Sequence, residues 1–398
     1  MININRLMNN LNALANIGQA ENGGMNRFSF TKEEKEANHL VVEWMEQAGL
    51  NVHIDAIGNI IGSKDGTEDL PAILLGSHID TVPDGGKYDG TLGVLSAIEV
   101  MHTLKEKSIQ LKHPVKVISF KDEEGTRFGF GMIGSRAAAG TLTKEDNGIS
   151  IEQAMKAYGL EKKPLESVKL ENIKAYLEVH IEQGKVLESK DVGVGNVTGI
   201  AGPLWLKFRM KGLAEHAGAT PMDQRSDALV VASIIIAETE TIAKQFPGAV
   251  ATVGKLDVKP NGVNVIPGEV EWTADIRSID ESERDAIEQQ IKEFAQQIAK
   301  ERNVELHISE LQRVEPVLCD EDIQKAIKES IQEIGEEEVN LPSGAGHDGM
   351  QFKYNFPIGM IFVKSIDGIS HNPKEYSREE DIEKGANVLY KTLTRLAE

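Results

Sequence analysis

The chain has 398 residues, 40% of them apolar and 27% charged, with a net charge of −20. That length allows two or three domains and a sizeable core, and the acidic balance argues against nucleic acid or an anionic membrane as a partner. The single cysteine, Cys319, excludes an internal disulfide and a thiolate metal cluster.

The opening stretch, "MININRLMNNLNALANIG", has neither a basic start nor a continuous apolar run, so it does not read as a signal peptide. No stretch reaches the roughly 18 apolar residues that a membrane span needs. A soluble cytoplasmic protein is expected. "TKEEKEANHLVVEWMEQAG" (31–49) predicts a helix with Leu40, Val41, Trp44 and Met45 on one face, capped by Thr31 and stopped by Gly49. "NVHIDAIGNIIGS" predicts a hairpin. "AILLGSH" is an apolar run meeting a glycine, as a central strand does at the sheet rim. "LGVLSAIEVMHTLKEK" predicts an amphipathic helix, "HPVKVISFKDEEG" a strand ending in acid, and "IKAYLEVHIEQG" a strand ending in His180 and Glu182. This alternation implies a helix-flanked mixed α/β sheet.

Near residue 200 the pattern changes. "PLWLKFRMKG" alternates, with Trp205, Phe208 and Met210 among polar neighbours. A long helix, "DALVVASIIIAETETIAKQF", precedes strands in "AVATVGKLDVKP", "VNVIPGEVEWTADIRS" and "NVELHISELQRVEP", with the helix "ERDAIEQQIKEFAQQIAKERN" between the last two. The first kind of pattern resumes at "IQKAIKESIQEIG" and "IGMIFVKS". An inserted α+β domain at 200–317 is therefore expected, splitting a first domain into 1–199 and 318–398.

Five polar clusters fall at strand ends or in glycine-rich loops: His78 with Asp80, Asp89, Asp122-Glu123-Glu124, His180 with Glu182, and the loop containing His371. In α/β sheets, ligands sit beyond the carboxyl ends of strands. Taken singly, each has a plainer reading: a lone histidine is more often structural, and "DEE" is usually a solvated turn. His53, His102, His113 and His307 lack such a setting and read as ordinary surface or packing residues. Should the clusters converge, His78, His180, His371, Asp89 and Glu124 supply three imidazoles and two carboxylates, a set suited to Zn, Mn, Co or Ni rather than Ca or Mg. Five donors exceed one ion's need and suggest two metals sharing a carboxylate, for which Asp89 is a candidate. Asp80, two residues past His78, is placed to accept the other imidazole proton.

Taken together and in order, "GSHIDTVPDGGKYDGTLGVL", "FKDEEGTRFG", "HIEQG", "TGIAGPLW", "HAGATPM", "NVIPGEVEWTADIRS", "SGAGHDG" and "GISHNPKE" resemble the M20 peptidase clan. The branch resembled is that of N-carbamoyl-L-amino-acid hydrolases, allantoate amidohydrolases and beta-ureidopropionases. The resemblance implies two divalent metal ions per subunit (Mn, Co, Ni or Zn). His78, Asp89 and His180 would ligate one, and Asp89, Glu124 and His371 the other. It implies Glu123 as general base and Asp80 as the acid that orients a histidine. Peptidases of the wider clan usually carry a carboxylate where this chain has His180, so "HIEQG" points to the ureido branch. The resemblance further implies that His216 donates to the oxyanion from the neighbouring subunit of a homodimer. Gln183 would hold the ureido group, Asn264 and Arg277 the substrate carboxylate, and Gly346 and His347 the remaining substrate loop. The inserted domain would be a lid and dimerisation domain. Read alone, Arg277 is equally a strand-face ion pair and His216 a loop histidine.

The expected reaction is hydrolysis of an N-carbamoyl-L-amino acid, a small ureido acid, to the L-amino acid, ammonia and carbon dioxide. Allantoate amidohydrolase is the alternative, and beta-ureidopropionase differs by one methylene in its substrate, worth only about 1–3 kcal/mol of discrimination. A non-catalytic binding protein would more naturally have lost Glu123 or a ligand, and all are present.

Overall fold

A computed structural model describes residues 1–142, 151–160 and 165–398, with the side chains of 165 and 166 not described. The chain divides into two compact units, Met1–Thr198 with Leu318–Glu398, and Gly199–Val317.

The first unit opens with α1 (Ile4–Ala15) and α2 (Lys32–Gln47). Thr31 caps α2 by accepting the Glu34 N–H, as the sequence predicts. Its buried face is Ala37, Val41, Trp44 and Met45, while Leu40 is half-buried at the margin. The hairpin β1 (Asn51–Ile54) and β2 (Ile60–Lys64) follows, then β3 (Ala72–His78), α3 (Thr91–Glu106), β4 (Val115–Phe120), α4 (Ile133–Ala139), α5 (Ile151–Tyr158), β5 (Ile173–Ile181), α6 (Val186–Ser189) and β6 (Val194–Ile200). The helix α3 is not amphipathic. It is buried on nearly every side from Thr91 to Leu104, because it packs between the sheet and other helices.

The second unit holds β7 (Gly202–Lys211), α7 (Ala228–Ala243), β8 (Val250–Lys259), β9 (Glu269–Ser278), α8 (Glu281–Glu301) and β10 (Glu305–Arg313). Its sheet runs β10-β7-β9-β8, all antiparallel. The buried face of β7 is Leu204, Leu206, Phe208 and Met210. Trp205 is exposed, since a period of two places it opposite Phe208. Phe208 stacks on Trp272 of β9 at 3.9 Å. The segment "VNVIP", expected as strand, is a turn; only Val265 forms an isolated bridge, to His216. Two prolines close to each other in "KPNGVNVIPG" cannot donate to a ladder.

The chain returns through β11 (Val317–Leu318), α9 (Glu321–Glu333), β12 (Asn340–Ser343), β13 (Ile358–Val363) and α10 (Glu379–Ala397). The larger sheet has the order β1-β2-β4-β3-β5-β13-β6-β11, with β12 also on β6. Its centre, β4-β3-β5-β13, is parallel, and the flanking pairs β1–β2, β2–β4 and β13–β6 are antiparallel. Such a sheet needs apolar side chains on both faces; β3 and β13 are buried at every position. Register aligns His78 with Phe120 and His180 with Phe362, so the carboxyl ends of all four central strands reach one rim. Among the described residues no helix is long and apolar enough to cross a membrane.

Candidate metal centre

The rim carries the predicted clusters. His78 ends β3 and is buried. Its Nδ1 lies 3.1 Å from the Asp80 main-chain oxygen, against 3.7 Å from the Asp80 carboxylate. A carbonyl only accepts, so Nδ1 carries the proton and Nε2 presents its lone pair. His180, near the end of β5, is fixed in the same way, with Nδ1 2.9 Å from the Ile181 carbonyl. Asp80 thus meets His78 chiefly through its backbone. Its carboxylate instead accepts the N–H groups of Glu123 and Glu124, both at 3.2 Å, and so shapes the acidic loop. That loop turns at Asp122, whose φ is +55°.

Asp89 precedes α3 and stands at the centre. Its Oδ1 is 3.1 Å from His180 Nε2 and 3.7 Å from His78 Nε2. Its Oδ2 is 3.1 Å from His371 Nε2, which is itself 3.6 Å from Glu124 Oε1. One carboxylate therefore gives one oxygen to each of two groups, His78–Asp89–His180 and Asp89–Glu124–His371, whose donor atoms lie within 4.8 Å of one another. Glu123 Oε2 is 3.7 Å from His78 Nε2; Glu123 clusters with His78 and Glu124 but belongs to neither group that shares Asp89.

The electrostatics call for positive charge. Burial opposes ionising Asp89, yet His180 and His371 hold it well below the usual carboxylate range. Burial likewise opposes a charge on His180, but the Asp89 carboxylate outweighs it and raises the imidazole to about 9. Burial raises Glu123, with Glu124 and Asp348 adding to it, and burial raises Glu124, with Asp89 and Asp80 adding. Glu124 Oε1 is buried without a hydrogen-bond partner. Lone pairs on His180 and Asp89 facing each other at 3.1 Å repel unless a proton or a cation lies between. Imidazole and carboxylate donors of this kind, with an orphaned carboxylate oxygen among them, fit two divalent transition-metal ions.

Gln183, at φ +58°, donates from Nε2 to Asp89 Oδ2 at 2.9 Å and to Ser370 Oγ at 3.0 Å. Its Oε1 is buried without a partner. His347 is buried, with its ring 4.4 Å from that of His180 and Nε2 2.8 Å from Ser343 Oγ. Burial, aided by His180, holds it neutral. Gly346 is half-buried beside it. In the second unit, His216 is exposed, and its Nδ1 accepts the Gly218 N–H at 3.1 Å, leaving the ring proton on Nε2. Asn264 is exposed on the neighbouring turn, its carbonyl accepting the Ala217 N–H. Arg277 lies on the outer face of β9, ion-paired with Asp275 at 2.8 Å. Ser370 and Glu375 also touch Asp89, and sequence reading assigned neither a role; both lie in the quoted "GISHNPKE", without a spacing that reveals a partner some 280 residues away.

A helix-flanked sheet with two cation groups sharing an aspartate defines a dinuclear hydrolase, and the comparisons place it more closely. Peptidase family M20/M25/M40 matches residues 74–395, and the chain belongs to that family. It is 48% identical, over 100% of both chains, to the N-carbamoyl-L-amino acid amidohydrolase of Geobacillus stearothermophilus. It is 36% identical to the allantoate amidohydrolase of Bacillus subtilis, over 96% of this chain and 95% of that one. Among solved structures, an amidase of the hydantoinase/carbamoylase family from Burkholderia multivorans superposes with a TM-score of 0.95 at 34% identity, covering 100% of this chain and 98% of that one.

Proposed function

We propose that this protein hydrolyses N-carbamoyl-L-amino acids to the L-amino acid, ammonia and carbon dioxide, as a metal-dependent amidohydrolase. The observation that carries the reading is the shared Asp89, with Glu123 left outside both groups it joins. The greater identity to a relative named for this activity than to one named for allantoate supports the substrate class. The reaction consumes one water and balances as ureido acid plus water giving amine, ammonia and carbon dioxide.

His78, Asp89 and His180 would hold one divalent cation and Asp89, Glu124 and His371 the other, which would supply Lewis acidity and lower the pKa of water toward neutrality. Glu123 is the group that would take a proton from the attacking water and return it to the leaving nitrogen. Its raised proton affinity suits a group that must both accept and release a proton. Gln183 holds the ureido group, with its amide nitrogen committed to Asp89 and its oxygen left for a ureido N–H. Asn264 and Arg277 hold the substrate carboxylate, and the loop of Gly346 and His347 completes the substrate site.

The second unit serves as lid and dimerisation domain. His216 Nε2–H is the oxyanion donor, supplied across a homodimer. The sheet edge at β8, with Val250 and Leu256 exposed, supports a partner of the same kind, because an unpaired edge is a pairing template. A cytoplasmic setting fits the one buried cysteine.

The test is ammonia release by chelator-stripped protein resupplied with Mn, Co, Ni or Zn. The substrates are N-carbamoyl-L-amino acids, N-carbamoyl-beta-alanine and allantoate. Turnover is expected only with metal and fastest on an N-carbamoyl-L-amino acid; preferred turnover of allantoate would move the assignment to that activity.

A further inference from the structure

The loop that presents Asp89, "DGGKYDG", is rich in glycine and has few side chains of its own to hold it. Glu375 supplies the missing hold. Its carboxylate is buried, and Oε1 accepts the Tyr88 N–H at 2.9 Å and the Asp89 N–H at 3.1 Å. Oε2 accepts the Ser370 hydroxyl at 2.9 Å, and that hydroxyl also lies 3.2 Å from Asp89 Oδ2. Gln183 donates to both Ser370 Oγ and Asp89 Oδ2, closing a ring of bonds around the shared carboxylate. The fit is close: a Cβ at Gly86 would lie 2.0 Å from the Glu375 carboxyl, so the loop tolerates only glycine there.

Glu375 also belongs to the turn that carries His371, closed by Glu375 N–H to the Asn372 carbonyl at 3.0 Å. One carboxylate therefore joins the loop of the shared ligand to the loop of a ligand that serves one group alone. We propose that Glu375 is a positioning residue that fixes Asp89 and His371 relative to each other, and so sets the affinity for the second cation. This rests on the two-cation reading above.

The chemistry distinguishes shape from charge. In Glu375→Gln one carbonyl oxygen still accepts both backbone N–H groups. The amide then donates to Ser370 Oγ, whose proton goes to Asp89. In Glu375→Ala the two N–H groups are buried without partners and the turn loses its anchor.

The experiment titrates chelator-stripped protein with Mn²⁺ by calorimetry, with circular dichroism to establish folding. The alanine variant should bind one of its two ions about 10–100-fold more weakly, and the glutamine variant within about threefold of the unsubstituted protein, as for other residues that orient metal ligands. Saturating Mn²⁺ should restore kcat in the alanine variant. Unchanged affinities in Glu375→Ala, or a glutamine variant as weak as the alanine one, would overturn the proposal. Should the alanine variant not fold, Ser370→Ala takes its place, with a several-fold loosening expected and an unchanged affinity overturning it. Unsubstituted protein that binds fewer than two ions would defeat the two-cation reading itself, a result distinct from equal affinity among the variants.

Discussion

At the scale of single residues, the site assigns different work to adjacent carboxylates. Glu124 stands with Asp89 and His371, whereas Glu123 lies with Glu124 beside His78 and joins neither group that shares Asp89. Glu123→Gln keeps the shape and removes the proton acceptor, so both ions should stay while kcat falls by about 10²–10⁴-fold or more. Metal analysis and ammonia release check this, and a near-normal rate would remove Glu123 from the mechanism. Away from the site, Asp55 offers a pH test of the fold. Burial raises its pKa to about 6, although the N–H groups of Ile57, Gly58 and Asn59 and the Asn59 side chain oppose the rise. A raised carboxyl keeps its proton in the folded state after the unfolded chain has lost it. Asp55 therefore costs stability as pH climbs from about 4 through 6, on the order of 2–3 kcal/mol in all. Asp55→Asn loses the Asn59 bond at every pH but lacks this slope. Its stability relative to the unsubstituted protein, measured by urea unfolding, should improve between pH 4 and 7.

At the scale of elements, the rim of the sheet was legible because apolar runs ending in His, Asp or Glu conflict with a purely structural role. His78 and His180 could be placed at strand ends from "AILLGSH" and "AYLEVHI" alone. Three features were not legible, each because tertiary context decided it. The amphipathicity expected of α3 vanished because that helix is buried on nearly every side from Thr91 to Leu104. The phase of β7 excluded Trp205 from the core. The clamp on Asp89 joins residues 286 positions apart, which no local pattern encodes. Glycine at the junction of loop and helix, Gly90, is a packing requirement. Its φ is +60°, and a Cβ there would meet His78 Nε2 at 2.3 Å. The imidazole has little room to retreat while Nδ1 is bound to the Asp80 carbonyl. Gly90→Ala should therefore weaken metal binding by about 10–100-fold or more and reduce turnover with it, while the second unit stays folded. Calorimetric titration with Mn²⁺ reads the first, and near-UV circular dichroism, reporting the stacked Phe208 and Trp272, reads the second.

At the scale of the whole molecule, the question is whether one chain makes a complete site. The metal ligands, Glu123 and Gln183 belong to the first unit, whereas His216, Asn264 and Arg277 belong to the second. His216 is exposed, and its protonated Nε2 is not held within its own loop, since Nδ1 is the nitrogen bonded to Gly218. If that proton serves the partner's substrate, lesions at Glu123 and His216 on separate chains should complement. In a dimer of Glu123→Gln with His216→Ala, one site carries both lesions and the other carries none. Each hybrid dimer then has one intact site of two, so the purified hybrid should recover roughly half the unsubstituted activity, and an unfractionated random mixture, about half hybrid, roughly a quarter. Were His216 to act within its own chain, every site would keep one lesion and mixing would restore nothing. Co-expression of the two variants with different affinity tags, purification of the hybrid and an ammonia assay decide between these outcomes.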